Sequence, residues 1–183
     1  ANMALKLCPT FSPAVDGENI ELMPSWPAKK RIAVIAQSGG MGFSFYDRGR
    51  PKNLPFSYVI TTGNEACLES LDIVEYLIDS DEADIFLMFM EDVKTPSKLS
   101  YVAEKALSVG KPIIVTKIGH SDAGIRAAAS HTASLAGSYQ IYKSIFERYG
   151  IIEGSDIEEI VDIAAGFVYF GDCPPSGKRV GIF

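Results

Sequence analysis

The chain is poor in the residues that build metal and disulfide frameworks. Its three cysteines, Cys8, Cys67 and Cys173, are scattered over 183 residues. They form no CxxC pair, so neither a zinc-finger pattern nor a disulfide framework is expected, and no metal site is assigned. This usage fits a reducing compartment, and a cytoplasmic location is expected. Histidine is scarcer still, with only two residues, His120 and His131. No apolar run approaches the about 18 residues of a membrane span. The opening, ANMALKLCPTFSPAVDG, lacks the apolar stretch of a secretion leader. Positive charge is in deficit too: 17 Lys+Arg face 23 Asp+Glu, a net charge of −6. With no basic block and no interleaving of Lys with aromatics, nucleic acid is not an expected partner. An anionic ligand stays open, because backbone N–H groups can hold one without basic side chains.

What is present is a globular composition, 47% hydrophobic and 22% charged, enough for one packed domain with extra segments at its ends. Residues 1–28, with Pro9, Pro13, Pro24 and Pro27, show no periodicity and read as a linker or the tail of a preceding domain. Residues 29–171 then alternate regularly. RIAVIAQ (31–37), FSYVITT (56–62), ADIFLMFM (83–90), PIIVTKI (112–118) and IIE (151–153) read as strands. Helices are expected after SGG at 38–40 and over 64–80, 96–110, 139–150 and 156–170. Residues 172–183 read as a linker, GDCPPSG running into it, and the first strand of a following domain, cut short. Strands alternating with helices predict an α/β fold: a flavodoxin-like, doubly wound, parallel five-stranded sheet of order 2-1-3-4-5.

Ligands of such folds bind beyond the carboxyl ends of the strands. The residues there are QSGGMG (37–42), TGNEA (62–66), EDVK (91–94) and the long small-residue stretch after the fourth strand, which includes RAAASHTASLAGS (126–138). Ser38, Gly39 and Gly40 open a helix. The plain reading is a turn with a capping serine; the functional one is a phosphate cradle of free N–H groups. The sequence is neither a P-loop nor a GxGxxG dinucleotide turn. Asn64 is expected to cap the second helix, with Glu65 beside its dipole and Gly63 allowing the turn. Glu91, ending an apolar strand, either meets solvent or faces a site; Asp92, its alternative, should point the other way by strand alternation. His131 lies among residues too small to bury it, which suits close approach of a ligand or another domain. Ser134 to Ser138 lead into a second helix start, so an imidazole there is placed to carry a phosphoryl group.

IAVIAQSGGMG, TTGNEACLESLDIVEYL, LMFMEDVK, KPIIVTKIGHSDAGIRAAASHTASLAGS and YGIIEGSDIEEIVDIA occur in one order. Together they resemble the succinyl-CoA synthetase-like flavodoxin domain of NDP-forming (ADP-forming) acyl-CoA synthetases of the acetate–CoA ligase type. The resemblance covers about residues 30–170 and implies an acid–thiol ligase working through a phosphohistidine. It implies His131 as the phosphorylated residue and Glu91 as the carboxylate that holds its ring. It also implies Ser38, Gly39, Gly40, Ser134 and Gly137 as phosphate-binding, and Gly63 and Asn64 as near the substrate. The implied substrates are acyl-CoA or a carboxylic acid, phosphate, CoA and ATP/ADP, with Mg²⁺ and nucleotide held in another domain. The implied partners are an ATP-grasp domain or subunit and a CoA-binding domain, and a homo-oligomer is an option, since the family often assembles as dimers or heterotetramers. Two positions depart from the family: Ala133 stands where Gly is usual after SHT, and His120 where Arg is common. A non-catalytic acyl-CoA-binding or regulatory domain is therefore the alternative. A flavin-binding flavodoxin has less support, because the first loop carries Gly-Gly rather than a run of hydroxyls.

Overall fold

The computed structural model describes residues 30–119, 139–172 and 176–177. Each expected strand forms: β1 (Ile32–Ala36), β2 (Phe56–Thr61), β3 (Ile85–Met90), β4 (Ile113–Lys117) and β5 (Ile152–Glu153). The described helices are α1 (Gly39–Gly49), α2 (Ser70–Asp79), α3 (Pro96–Ser108), α4 (Tyr139–Tyr149) and α5 (Ile157–Phe170), with a short 3₁₀ turn at Arg50–Lys52. The strands pair in parallel in the order β2-β1-β3-β4-β5, the expected flavodoxin-like topology. Among the described residues no helix is long and apolar enough to cross a membrane.

Strand alternation divides the core in two. Ala33 and Ile35 of β1, Phe86, Met88 and Met90 of β3, and Ile113 and Val115 of β4 face α2, α3 and α4. Ile32, Val34, Ala36, Ile85, Leu87, Phe89 and Ile114 face α1 and α5. Each of the three central strands is fully buried along its length, which is why β1, β3 and the first three residues of β4 are continuous apolar runs rather than alternating ones. α3 begins with Pro96 in its first turn and is followed by Gly110 at φ +69°, the expected start and stop. α5 is capped by Asp156, whose carboxylate accepts from the Glu159 N–H at 2.9 Å.

The second helix corrects the expectation. It starts at Ser70, and its N-cap is Glu69, not Asn64. Gly63 is at φ +62° and Glu65 at φ +55°, so the backbone cannot run helically from 64. Residues 62–69 form a loop that stays at the sheet edge. Glu65 nevertheless does reach the helix start: its carboxylate accepts from the Ser70 N–H at 2.8 Å and from the Ser70 and Thr62 hydroxyls.

The carboxyl edge of the sheet as candidate functional site

The ends of β1, β2 and β3 bring most of the expected site residues together. Register pairs Ala36 with Thr61 and with Phe89, so Ser38, Gly63 and Glu91 leave the sheet at one edge. The Thr62 N–H donates to the Ala36 carbonyl at 2.9 Å, holding the 62–69 loop against β1. Lys94 links that loop to the end of β3, its Nζ donating to the Asn64 and Glu65 carbonyls at 2.5 and 2.6 Å. Ser38, Gly39, Gly40, Gly63, Asn64 and Glu91 thus share one rim. His131, Ser134 and Gly137 lie outside the described residues, as do His120 and Ala133.

Ser38 takes the N-cap position of α1 with extended backbone, but its hydroxyl makes no capping bond, and no acidic residue occupies the first turn. Gly39 and Gly40 are the first residues of the helix itself, not of a turn before it. Neither is among the glycines at positive φ. A Cβ at either would meet nothing within 4 Å. Glycine is the poorest helix former after proline. Neither dihedral angles nor packing among the described residues requires them. What they provide is open access to helix N–H groups and the positive end of the dipole.

Glu91 is 9% exposed. Among the described residues nothing hydrogen-bonds its carboxylate, whereas its main chain is held on both sides. Strand parity puts it on the α1 side of the sheet, with Ile85, Leu87 and Phe89. Asp92 has the opposite parity, and its carboxylate accepts from the Tyr142 hydroxyl of α4 at 2.9 Å. The Tyr142 hydroxyl oxygen in turn accepts from the Val93 N–H at 3.1 Å. Burial, followed by the bond to Asp92, pushes the Tyr142 phenol well above its ordinary value.

Two residues of this edge carry no site signal in the sequence. Gln37 turns its carboxamide onto the end of β3, accepting from the Glu91 and Asp92 N–H groups at 2.6 and 3.0 Å and donating to the Asp92 carbonyl at 2.7 Å. Lys117, the last residue of β4, is 2% exposed. Its ammonium donates to the Glu91 and Ile118 carbonyls, both at 2.6 Å, and lies 4.7 Å from the centre of the Tyr142 ring. Burial pulls its pKa below the usual lysine value, against the opposing fields of Asp92, Glu153 and Glu91. The one available signal for Lys117 is its position, a charged residue closing an apolar strand. A pocket of about 220 Å³ lies at the opposite edge of the sheet, lined by Ala103, Leu107, Ile113 and Phe167 among others. Its lining is mostly apolar, with Lys111 and Tyr149 the charged and hydroxyl-bearing side chains among it.

The fold and the order of its strands define a flavodoxin-like α/β domain. The family model for the succinyl-CoA ligase-like flavodoxin domain matches residues 29–167, and the chain belongs to that family. It is 41% identical over 138 residues to the ADP-forming acetate–CoA ligase I of Archaeoglobus fulgidus, covering 75% of this chain and 20% of that protein. It is 37% identical over 154 residues to the α subunit of the ADP-forming acetate–CoA ligase II of Pyrococcus furiosus, covering 84% of this chain and 33% of the subunit. Its fold superposes, at a TM-score of 0.70 and 30% identity, on the dinucleotide-forming acetyl-coenzyme A synthetase 1 of Ca. Korarchaeum cryptofilum in complex with phosphate and ADP. That match covers 80% of this chain and 32% of the other. The chain therefore spans a fifth to a third of the length of these relatives.

Proposed function

We propose that this chain is the central domain of an NDP-forming acyl-CoA synthetase that interconverts acyl-CoA, phosphate and NDP with acid, CoA and NTP through a phosphohistidine at His131. One juxtaposition carries the reading: an open Gly39–Gly40 helix start beside Glu91, a buried carboxylate with no described hydrogen-bond partner. The family membership and the ADP-forming ligases among the relatives support the same chemistry.

In this reading phosphate sits at the α1 N-terminus, held by the N–H groups after Ser38, with Ser134 and Gly137 as further phosphate-binding residues. A phosphate oxygen attacks the thioester carbonyl; the C–S bond breaks and CoA leaves as the thiol after protonation. The acyl phosphate presents its phosphorus to His131. The imidazole nitrogen attacks, the P–O bond to the acyl group breaks, and the carboxylate departs. Glu91 accepts a hydrogen bond from the other ring nitrogen, fixing the tautomer and favouring the charged ring. The phosphoryl group then passes to NDP in an ATP-grasp domain, where Mg²⁺ accompanies the nucleotide. Gly63 and Asn64 border the acyl-CoA side. Residues 1–28 read as a linker or the tail of a preceding CoA-binding domain, and 172–183 as a linker and the first strand of a following domain. A cytoplasmic setting accords with this metabolism.

Ala133 gives specific ground for a second reading, a domain that binds acyl-CoA without relaying phosphate. Labelling separates the two. The full-length protein is incubated with γ-labelled ATP and Mg²⁺, as wild type and as His131→Ala. Acid-labile, base-stable phosphate in the wild type that disappears in the variant is the expected result. No label in a folded, CoA-binding wild type overturns the relay. Label that survives acid moves the phosphate to Ser130, Thr132 or Ser134.

A further inference from the structure

Regular pairing on both sides of β3 ends just before Glu91. The last bonds are from the Gln37 N–H to the Phe89 carbonyl and from the Ile118 N–H to the Met90 carbonyl. Glu91 and Asp92 then have four main-chain polar groups and no ladder to satisfy them. Two side chains take all four. Gln37 accepts from both N–H groups and donates to the Asp92 carbonyl, and Lys117 donates to the Glu91 carbonyl. The two come from the strands that flank β3, so the Glu91–Asp92 peptide is gripped from both sides. The Asp92 carboxylate is engaged by Tyr142. The Glu91 carboxylate is the one polar group of the pair without a described hydrogen bond.

We propose that Gln37 and Lys117 are positioning residues that aim the Glu91 carboxylate by clamping its peptide from the two neighbouring strands. The inference rests on the relay reading, in which Glu91 orients the His131 ring. Stability alone is a poor reason for the arrangement. An ammonium that is 2% exposed carries a desolvation penalty that an aliphatic residue at the end of β4 does not. Fixing a carboxylate to within a fraction of an ångström does call for such support, since groups that orient a reacting residue act only if they are themselves held.

Lys117→Met and Gln37→Met keep side-chain bulk and remove the clamp. Each is introduced into the full-length protein alone and combined with Glu91→Gln. The initial rate of acid-labile phosphate incorporation at His131 is followed beside the thermal midpoint. Each single variant should label about tenfold to a hundredfold more slowly, in line with the loss of other supporting partners. Each double variant should be no slower than Glu91→Gln alone, because the clamp acts only through that carboxylate. Losses that multiply in the doubles, or singles that label at the wild-type rate, overturn the proposal. If Lys117→Met fails to fold, Gln37→Met decides by the same criteria. Absence of label in the wild type removes the relay and this inference with it. A labelled wild type with multiplying losses removes only the clamp.

Discussion

Glu65 holds a left-handed backbone at φ +55°, a conformation that costs a residue with a Cβ about 1 kcal/mol or more. The return is its carboxylate at the start of α2, where it accepts from the Ser70 N–H, the Ser70 hydroxyl and the Thr62 hydroxyl, 6% exposed. Hydrogen bonds to a charged group contribute about 1.5–3 kcal/mol, so the acceptor outweighs the strain. Glu65→Gly tests the balance by sign. Glycine relieves the dihedral cost, yet the variant should lose about 1–3 kcal/mol in urea denaturation, counting the donors left unpaired and the added freedom of the unfolded chain. A stabilised variant would mean that strain dominates at this position. Lys94 should hold less of the balance, since it meets only main-chain carbonyls from an exposed position.

At the scale of elements, α2 and α3 are joined by charge as well as by core. Asp72, third residue of α2, accepts from the Glu69 N–H at 2.8 Å and from the Lys98 ammonium of α3. The bond to Lys98, then the one to the Glu69 main chain, hold its carboxyl below the ordinary aspartate value. A depressed folded-state pKa stabilises the fold above the unfolded value near 3.8, and this stability is lost as pH falls through the folded pKa. Asp72→Asn should therefore have a flatter dependence of the urea midpoint between about pH 5 and pH 3 than the wild type. Parallel slopes would show that Asp72 contributes nothing to acid sensitivity. The same helix marks the limit of what sequence makes legible. The strands declare themselves because burial on both faces leaves mostly apolar residues, and helix ends declare themselves through Pro96 and Gly110. The apolar spacing over 64–80 is genuine from Leu71 onward, but nothing in Asn-Glu-Ala-Cys announces that Glu65 will turn left-handed and fold back. Glu91, Ser38 and the two glycines are readable from their place after strands. Gln37 is readable as a place after a strand but not as a clamp, and Lys117 is not readable as a site residue, because a lysine at a strand end looks the same whether its side chain meets water or a neighbouring peptide.

At the scale of the whole molecule, the sheet separates structure from chemistry. The two cores lie under its faces, while Ser38, Gly39, Gly40, Gly63, Asn64 and Glu91 stand at its carboxyl edge. Residues on the rim can therefore be changed without emptying a core, and the proposed reaction can be cut into its two transfers. In the first, phosphate attacks acyl-CoA; in the second, His131 takes the phosphoryl group. Only the second needs the imidazole. Arsenate tests the division, because it attacks a thioester as phosphate does, and the acyl arsenate then hydrolyses in water to acid and arsenate. In the full-length protein, His131→Ala should retain arsenate-dependent cleavage of acyl-CoA within about tenfold of the wild type, while NTP formation from acyl-CoA, phosphate and NDP falls to background. Gly39→Val with Gly40→Val should do the reverse of sparing the first step. Branched side chains over the helix start obstruct the anion, so arsenolysis and NTP formation should both be lost while the thermal midpoint moves little, there being no neighbour among the described residues within 4 Å of a Cβ. Arsenolysis that disappears with His131 would place the imidazole in the attack on the thioester and join the two transfers into one step. Arsenolysis that survives both glycine substitutions would move the anion away from the α1 N-terminus altogether.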